Sequence, residues 1–308
     1  MAWDWAKEAI GDPLYTESES TKGASIGDEL AIGAIGQRIG NELVRRTFNM
    51  GEGFIWTAAG DYGTIEGIDA KATVEHIIGW LTAIKKSGCK GVALGLSGGK
   101  DSIVVAMLAV KVWGKDNVYG VIMPNTHWDD AEDALKVART LGIQHTIAPI
   151  KSTYYALIDD LILSEQARVN IAPRIRMTML YAIAQTFEYR VIGTGNRSER
   201  YIGWCTKFGD MGCDMNPIAH LTCGQVVEIG LYLAEEFGLN PNLIKRPPAD
   251  GLTGKTDEDN FGFTYDQLDA YILNGTSGSK KIDKKIEKMH SAALHKLTMP
   301  ATMEMEGL

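Results

Sequence analysis

The chain is short of several features, and each gap removes a class of protein. Its four cysteines (Cys89, Cys205, Cys213 and Cys223) form no CxxC pair and no regular framework. That argues against a disulfide scaffold or a cysteine-rich zinc site and suits a reducing, cytoplasmic setting. No apolar run is long enough to cross a bilayer, so no membrane partner is expected. The opening stretch, "MAWDWAKEAIGDPLYTESES", has no basic region followed by an apolar one, and no signal peptide is expected. A basic excess is missing too: the net charge of −8 speaks against a nucleic-acid partner. An acidic total still permits phosphorylated small molecules, because a local nest of backbone N–H groups can hold them.

What is present is a regular alternation. Residues 1–70 stand apart as an extension of unreadable role, with polar, turn-rich stretches around one helical segment, "IGDELAIGAIGQRIGNELVRRTF". From about residue 71 to 308, apolar runs of strand length ("GVALGL", "NVYGVIMP", "IQHTIAPI", "YRVIGTG") alternate with amphipathic helical stretches. Short buried strands separated by helices predict a doubly wound α/β fold, with a mostly parallel sheet covered on both faces and further helices at the C-terminal end. Such sheets bind ligands at the carboxyl ends of their strands. Three polar loops fall at that edge: "GLSGGKDS", "MPNTHWDD" and "GTGNRSE".

The loop "GLSGGKDS" spans Gly95, Leu96, Ser97, Gly98, Gly99, Lys100, Asp101 and Ser102 between a buried strand and an apolar helix. Glycines let backbone N–H groups approach an anion, the helix N-terminus adds positive potential, and the serines can donate hydroxyl hydrogen bonds. Asp101 is poorly suited to touch phosphate but well suited to hold Mg²⁺ against it. The loop is not a Walker A motif, since Lys100 precedes Asp and the first glycine is absent. A second stretch, "ADGLTGKT", ends like one but has Ala249 at the first glycine and follows a proline pair, which suggests a lid.

"SGGKDS" resembles the pyrophosphate loop of the N-type ATP pyrophosphatases. The segment "VIGTGNRSERYIGWCTKFGDMGCDMNPIAHLT" then resembles the ammonia-dependent NAD synthetases, with support from "IKSTYYAL", "APRIRM", "KRPPADGLTGKTDEDNFGFTYDQLD" and "HKLTMPA". This resemblance runs from about residue 72 to 302 and implies an adenine nucleotide alpha hydrolase-like, Rossmann-like fold. It implies an amide ligase that activates the nicotinate carboxylate of deamido-NAD with ATP and releases AMP to ammonia. It further implies Mg²⁺ at Asp101 and Glu199, ATP contacts from residues 95–102, Thr194 and position 223, and deamido-NAD contacts from Arg174, Lys207, Asp214, His295 and Lys296. Arg176, two residues on, is a neighbouring candidate for the Arg174 role. A homodimer with deamido-NAD at the subunit interface is also implied.

The chain departs from the family pattern at Cys223, where "HLT" is expected to continue with a lysine that contacts ATP phosphate. A Ser or Thr expected near Pro248 and Ala249 is missing as well. Lys100 and Lys255 are candidate substitutes for the missing cation. Two alternatives follow from these departures. One is an adenylating relative acting on another carboxylate or carrying sulfur on a cysteine thiolate, and the other is a non-catalytic nucleotide-binding protein.

Overall fold

The computed structural model describes residues 68–125, 129–246 and 256–298. Residues 1–67 of the N-terminal extension with its expected helix, all of the expected lid "ADGLTGKT" except its last residue (249–255, Lys255 among them), and the segment after 298 lie outside the described residues.

Helix α1 (Ala70–Lys86) leads into β1 (Val92–Gly95), then α2 (Lys100–Trp113), β2 (Val118–Ile122), α3 (Asp129–Leu141) and β3 (Gln144–Ile147). Helices α4 (Lys151–Ile158), α5 (Glu165–Val169) and α6 (Ile171–Phe187) precede β4 (Arg190–Val191) and α7 (Arg197–Ile202). The remainder is helical: α8 (Cys223–Phe237), α9 (Asn242–Lys245), α10 (Asp257–Phe261), α11 (Tyr265–Asn274) and α12 (Lys280–Leu297).

The four strands are parallel and lie in the order β3-β2-β1-β4. Alternate residues serve opposite faces, as strand geometry requires. Val92, Leu94, Val118 and Ile122 join the larger core, with residues of α1, α2, α3 and α8. Ala93 and Val121 face the other way, toward Leu180 and Ile183 of α6. Helix α2 is buried on almost every side, which accounts for its nearly unbroken apolar sequence after Ser102.

The chain passes from β1 outward to β2 and β3, then returns to the other side of β1 for β4. The switch point therefore lies between β1 and β4, where a ligand crevice opens beyond the strand ends. The loops that follow those two strands are "SGGKDS" and "TGNRSE". Strand β4 is much shorter than the run "YRVIGTG" predicts. Ile192 still donates its N–H to the Ala93 carbonyl of β1 at 3.0 Å but also bridges Met215, and beyond it the Gly193 N–H turns to the Met215 carbonyl at 2.7 Å.

Candidate functional site

Backbone geometry opens the first loop to an anion. Gly98 has φ 80°, a left-handed conformation that suits glycine. Gly99 caps α2 from an extended conformation with no side-chain cap, so the N-terminal N–H groups of that helix are not covered by a side chain from the cap position. Ser97 and Ser102 hold the loop in shape. Their hydroxyls lie 3.1 Å apart, the Ser102 hydroxyl donates to the Gly99 carbonyl at 2.9 Å, and the Gly99 N–H donates to Ser97 Oγ at 3.2 Å. The side chain of Leu96 is buried in the core, so only its backbone faces the loop.

The second loop is tied to the first. Asn196 caps α7 in a reciprocal box with Glu199, and Asn196 Nδ2 donates to Asp101 Oδ1 at 3.2 Å. The other Asp101 oxygen takes Lys100 Nζ at 2.7 Å. Burial, and then the Asp101 charge beside it, push the Glu199 carboxyl well above the ordinary carboxylate range. Burial alone would lower the Lys100 ammonium, but the Asp101 carboxylate paired with it raises it, so it stays charged. Two crowded carboxylates are hard oxygen donors whose repulsion a cation relieves. No cluster of three or more potential metal ligands occurs among the described residues. A pair of carboxylates fits Mg²⁺, which usually completes its shell with water and substrate phosphate.

A pocket of ≈ 200 Å³ lies alongside, lined in part by Ser97, Arg176, Leu180, Thr194 and Asp210. Arg176 lines it and donates through Nε to the Met123 carbonyl at 3.2 Å. Arg174 is exposed and reaches the Lys207 carbonyl at 3.4 Å instead. Lys207 donates to the His295 carbonyl, and Lys296 donates to the carbonyls of Gly203 and Cys205 at 2.8 Å each. Arg174, Lys207, His295 and Lys296 thus meet at the end of α12. Asp214 stands apart from them: its oxygens take the Val191 N–H at 2.7 Å and the Tyr181 hydroxyl at 3.2 Å. Asp210, absent from the sequence reading, lines the pocket and accepts from the Thr206 N–H at 2.8 Å. Its signal was the acid that closes "TKFGD".

Cys223 is the first residue of α8, 6% exposed, and Ser198 Oγ accepts its backbone N–H at 3.0 Å. Burial pushes its thiol up to about 12. Burial also raises Cys205 to about 12 and Cys213 to about 11. All three are neutral thiols near neutral pH, so the reading of a cysteine thiolate that carries sulfur loses its physical basis.

Residues 73–300 match the family model described as NAD synthase. The chain is 39% identical over 221 residues to the NH(3)-dependent NAD(+) synthetase of Finegoldia magna, covering 70% of this chain and 90% of that one. It is 37% identical to the enzyme of the same name from Carboxydothermus hydrogenoformans, covering 73% of this chain and 94% of that one. Among solved structures it resembles an NMN synthetase from Francisella tularensis, with a TM-score of 0.71 and 33% identity over 78% of this chain and 100% of the other. It also resembles the NH3-dependent NAD synthetase of Campylobacter jejuni, with a TM-score of 0.62 and 29% identity over 77% of this chain and 100% of that one.

Proposed function

The chain belongs to the NAD synthase family, and from that premise we propose that it joins ammonia to the nicotinate carboxyl of deamido-NAD, consuming ATP and yielding NAD, AMP and pyrophosphate. The observation that carries this reading is the agreement with ammonia-dependent enzymes over 90% and 94% of their own lengths.

The chemistry asks for placement more than for reactive side chains. A carboxylate is a poor electrophile for ammonia. Its oxygen attacks the α-phosphorus of ATP, the bond to the bridging oxygen breaks, and pyrophosphate leaves with that electron pair. Ammonia then adds to the acyl carbon of the mixed anhydride, AMP departs, and the surplus proton passes to solvent. The protein holds the reactants in line and offsets phosphate charge. Residues 95–102 and Thr194 form the phosphate cradle, and the uncapped start of α2 supports that role. Asp101 and Glu199 would hold Mg²⁺, which supplies charge neutralisation at the phosphates. Arg174, Lys207, His295 and Lys296 are the deamido-NAD contacts, joined by Arg176 and Asp210 of the pocket. Asp214 orders the start of that wall through β4. A cytoplasmic homodimer is part of the proposal, and a monomer in sedimentation at micromolar concentration would contradict it.

The likeness to an NMN synthetase favours a second reading, in which the acceptor is the carboxylate form of the mononucleotide. Both acceptors present the same reacting group, so one assay separates them. ATP, Mg²⁺ and ammonium are supplied with deamido-NAD or with nicotinate mononucleotide, and nucleotide products are resolved by chromatography. NAD and AMP are expected in equal amounts with deamido-NAD. Preferential amidation of the mononucleotide establishes the second reading, and AMP release with neither acceptor overturns both. In the same assay, Asp101→Ala and Glu199→Ala are each expected to lower Mg²⁺-dependent AMP release by about a hundredfold or more.

A further inference from the structure

Lys100 is poorly placed for a purely structural lysine. Its side chain is 5% exposed, and a lysine loses hydration there that a single ion pair returns only in part. It is also the first residue of α2, where a positive charge opposes the helix dipole. An apolar side chain at position 100 would incur neither penalty. What holds the ammonium is acid: Asp101 Oδ2 at 2.7 Å. The ring of Tyr265 lies 5.8 Å from Nζ and closes another side.

The position of this ammonium is informative. Helices α2 and α8 pack against each other, and Lys100 and Cys223 are their respective first residues. The Lys100 ammonium lies 5.8 Å from the Tyr265 ring, and Tyr265 packs in one buried cluster with Cys223, so the lysine reaches the ground beside position 223. Cys223 is small and neutral, and it leaves that ground open to a long side chain. The resemblance expects a cation on α8 at this place, and the structure has one arriving from α2.

We infer that Lys100 is the phosphate-binding cation of this chain, swinging its ammonium from Asp101 to the β,γ-phosphate oxygens of ATP and so replacing the lysine expected at position 223. The departure at Cys223 is then a relocation of charge from one helix start to the other. Lysine suits the role because its ammonium is a compact point charge on a flexible stem, able to serve two partners in turn. The Ser97 and Ser102 hydroxyls and the open N–H groups of α2 lie on the same loop, so the cation and the cradle act on one group. The inference rests on the reading that ATP binds at residues 95–102.

The test is binding, which needs no acceptor and no turnover. Affinity for the non-cleavable analogue α,β-methylene-ATP is measured by calorimetry in Mg²⁺ for the wild-type chain, Lys100→Met, and the double variant Lys100→Met with Cys223→Lys. Thermal unfolding of each is recorded alongside. Lys100→Met is expected to weaken binding by about tenfold or more. The added lysine on α8 is expected to recover most of that loss, because it restores the cation from the other helix. A lysine that only neutralises Asp101 would change the melting temperature, leave the affinity alone, and give position 223 nothing to rescue. Unchanged affinity in Lys100→Met, or a loss that the folded double variant does not reverse, overturns the inference while leaving ATP as ligand. A wild-type chain that fails to bind the analogue overturns the ATP reading and the inference together.

Discussion

His220 shows how far burial can govern a single group in this molecule. It lies in "NPIAHLT", just before α8, and burial with the nearby Arg197 charge lowers its imidazole to about 4 from the usual 6.5. The sign of the consequence follows. Above the unfolded value, both states are neutral and the group contributes nothing to pH dependence. As the pH falls through 6.5, the unfolded chain takes up a proton that the folded chain refuses until about 4, so stability declines across that window. At about pH 5 the decline amounts to roughly 1 to 2 kcal/mol. His220→Gln is expected to flatten the dependence of urea-unfolding free energy between about pH 7 and about pH 5. An unchanged slope in the variant would assign the pH dependence to other groups. Glu199 departs in the opposite direction, and for a different reason: burial and the nearby Asp101 both disfavour its charge.

Among the elements, the starts of α2 and α8 decide what the site can hold. Both helices begin at the same edge, but they are finished differently. Helix α8 is closed by its own residues. Thr222 and Gln225 form a capping box, Ser198 Oγ accepts the Cys223 N–H, and Asp269 Oδ2 accepts the Gly224 N–H at 2.8 Å. Helix α2 has no side-chain cap at all. An anion arriving at this edge therefore finds donors on α2 and an occupied terminus on α8. The close seating of the two helices depends on Gly230. A Cβ there would lie 2.8 Å from Ile244 Cγ2 and 2.9 Å from Val104 Cγ2, both on β-branched side chains with little freedom to turn away. Gly230→Ala is expected to destabilise the fold by about 1–3 kcal/mol. Equilibrium urea unfolding measures this, and wild-type stability would show that α8 and α9 can separate at no cost.

For the molecule as a whole, the sequence was most legible where one local pattern decides the outcome. The apolar runs located all four strands, and their alternation with helices implied a parallel sheet with both faces covered. The strand-loop-helix setting of "SGGKDS" singled out the edge at which the switch point lies. Less legible was anything that depends on partners distant in the chain. The early end of β4 depends on Met215, and the closure of α8 depends on Asp269, which lies 45 residues beyond Gly224. Spacing could not separate Arg174 from Arg176, because only the turn of α6 decides which of them lines the pocket. The link from Asn196 to Asp101 was half readable: "NRSE" has the spacing of a capping box, but its second contact crosses 95 residues. Lys100 was readable as an ATP contact and a substitute cation, but its burial and its ion pair with Asp101 were not.

The proposed reaction adenylates the acceptor's own carboxylate. It is tested most directly with deamido-NAD carrying ¹⁸O in both carboxyl oxygens, incubated with ATP, Mg²⁺, ammonium and the protein, with products analysed by mass spectrometry. Attack by a carboxylate oxygen on the α-phosphorus must leave one labelled oxygen on AMP, one on the amide of NAD, and none on pyrophosphate. Formation of unlabelled AMP alongside NAD would rule out adenylation of the acceptor carboxylate.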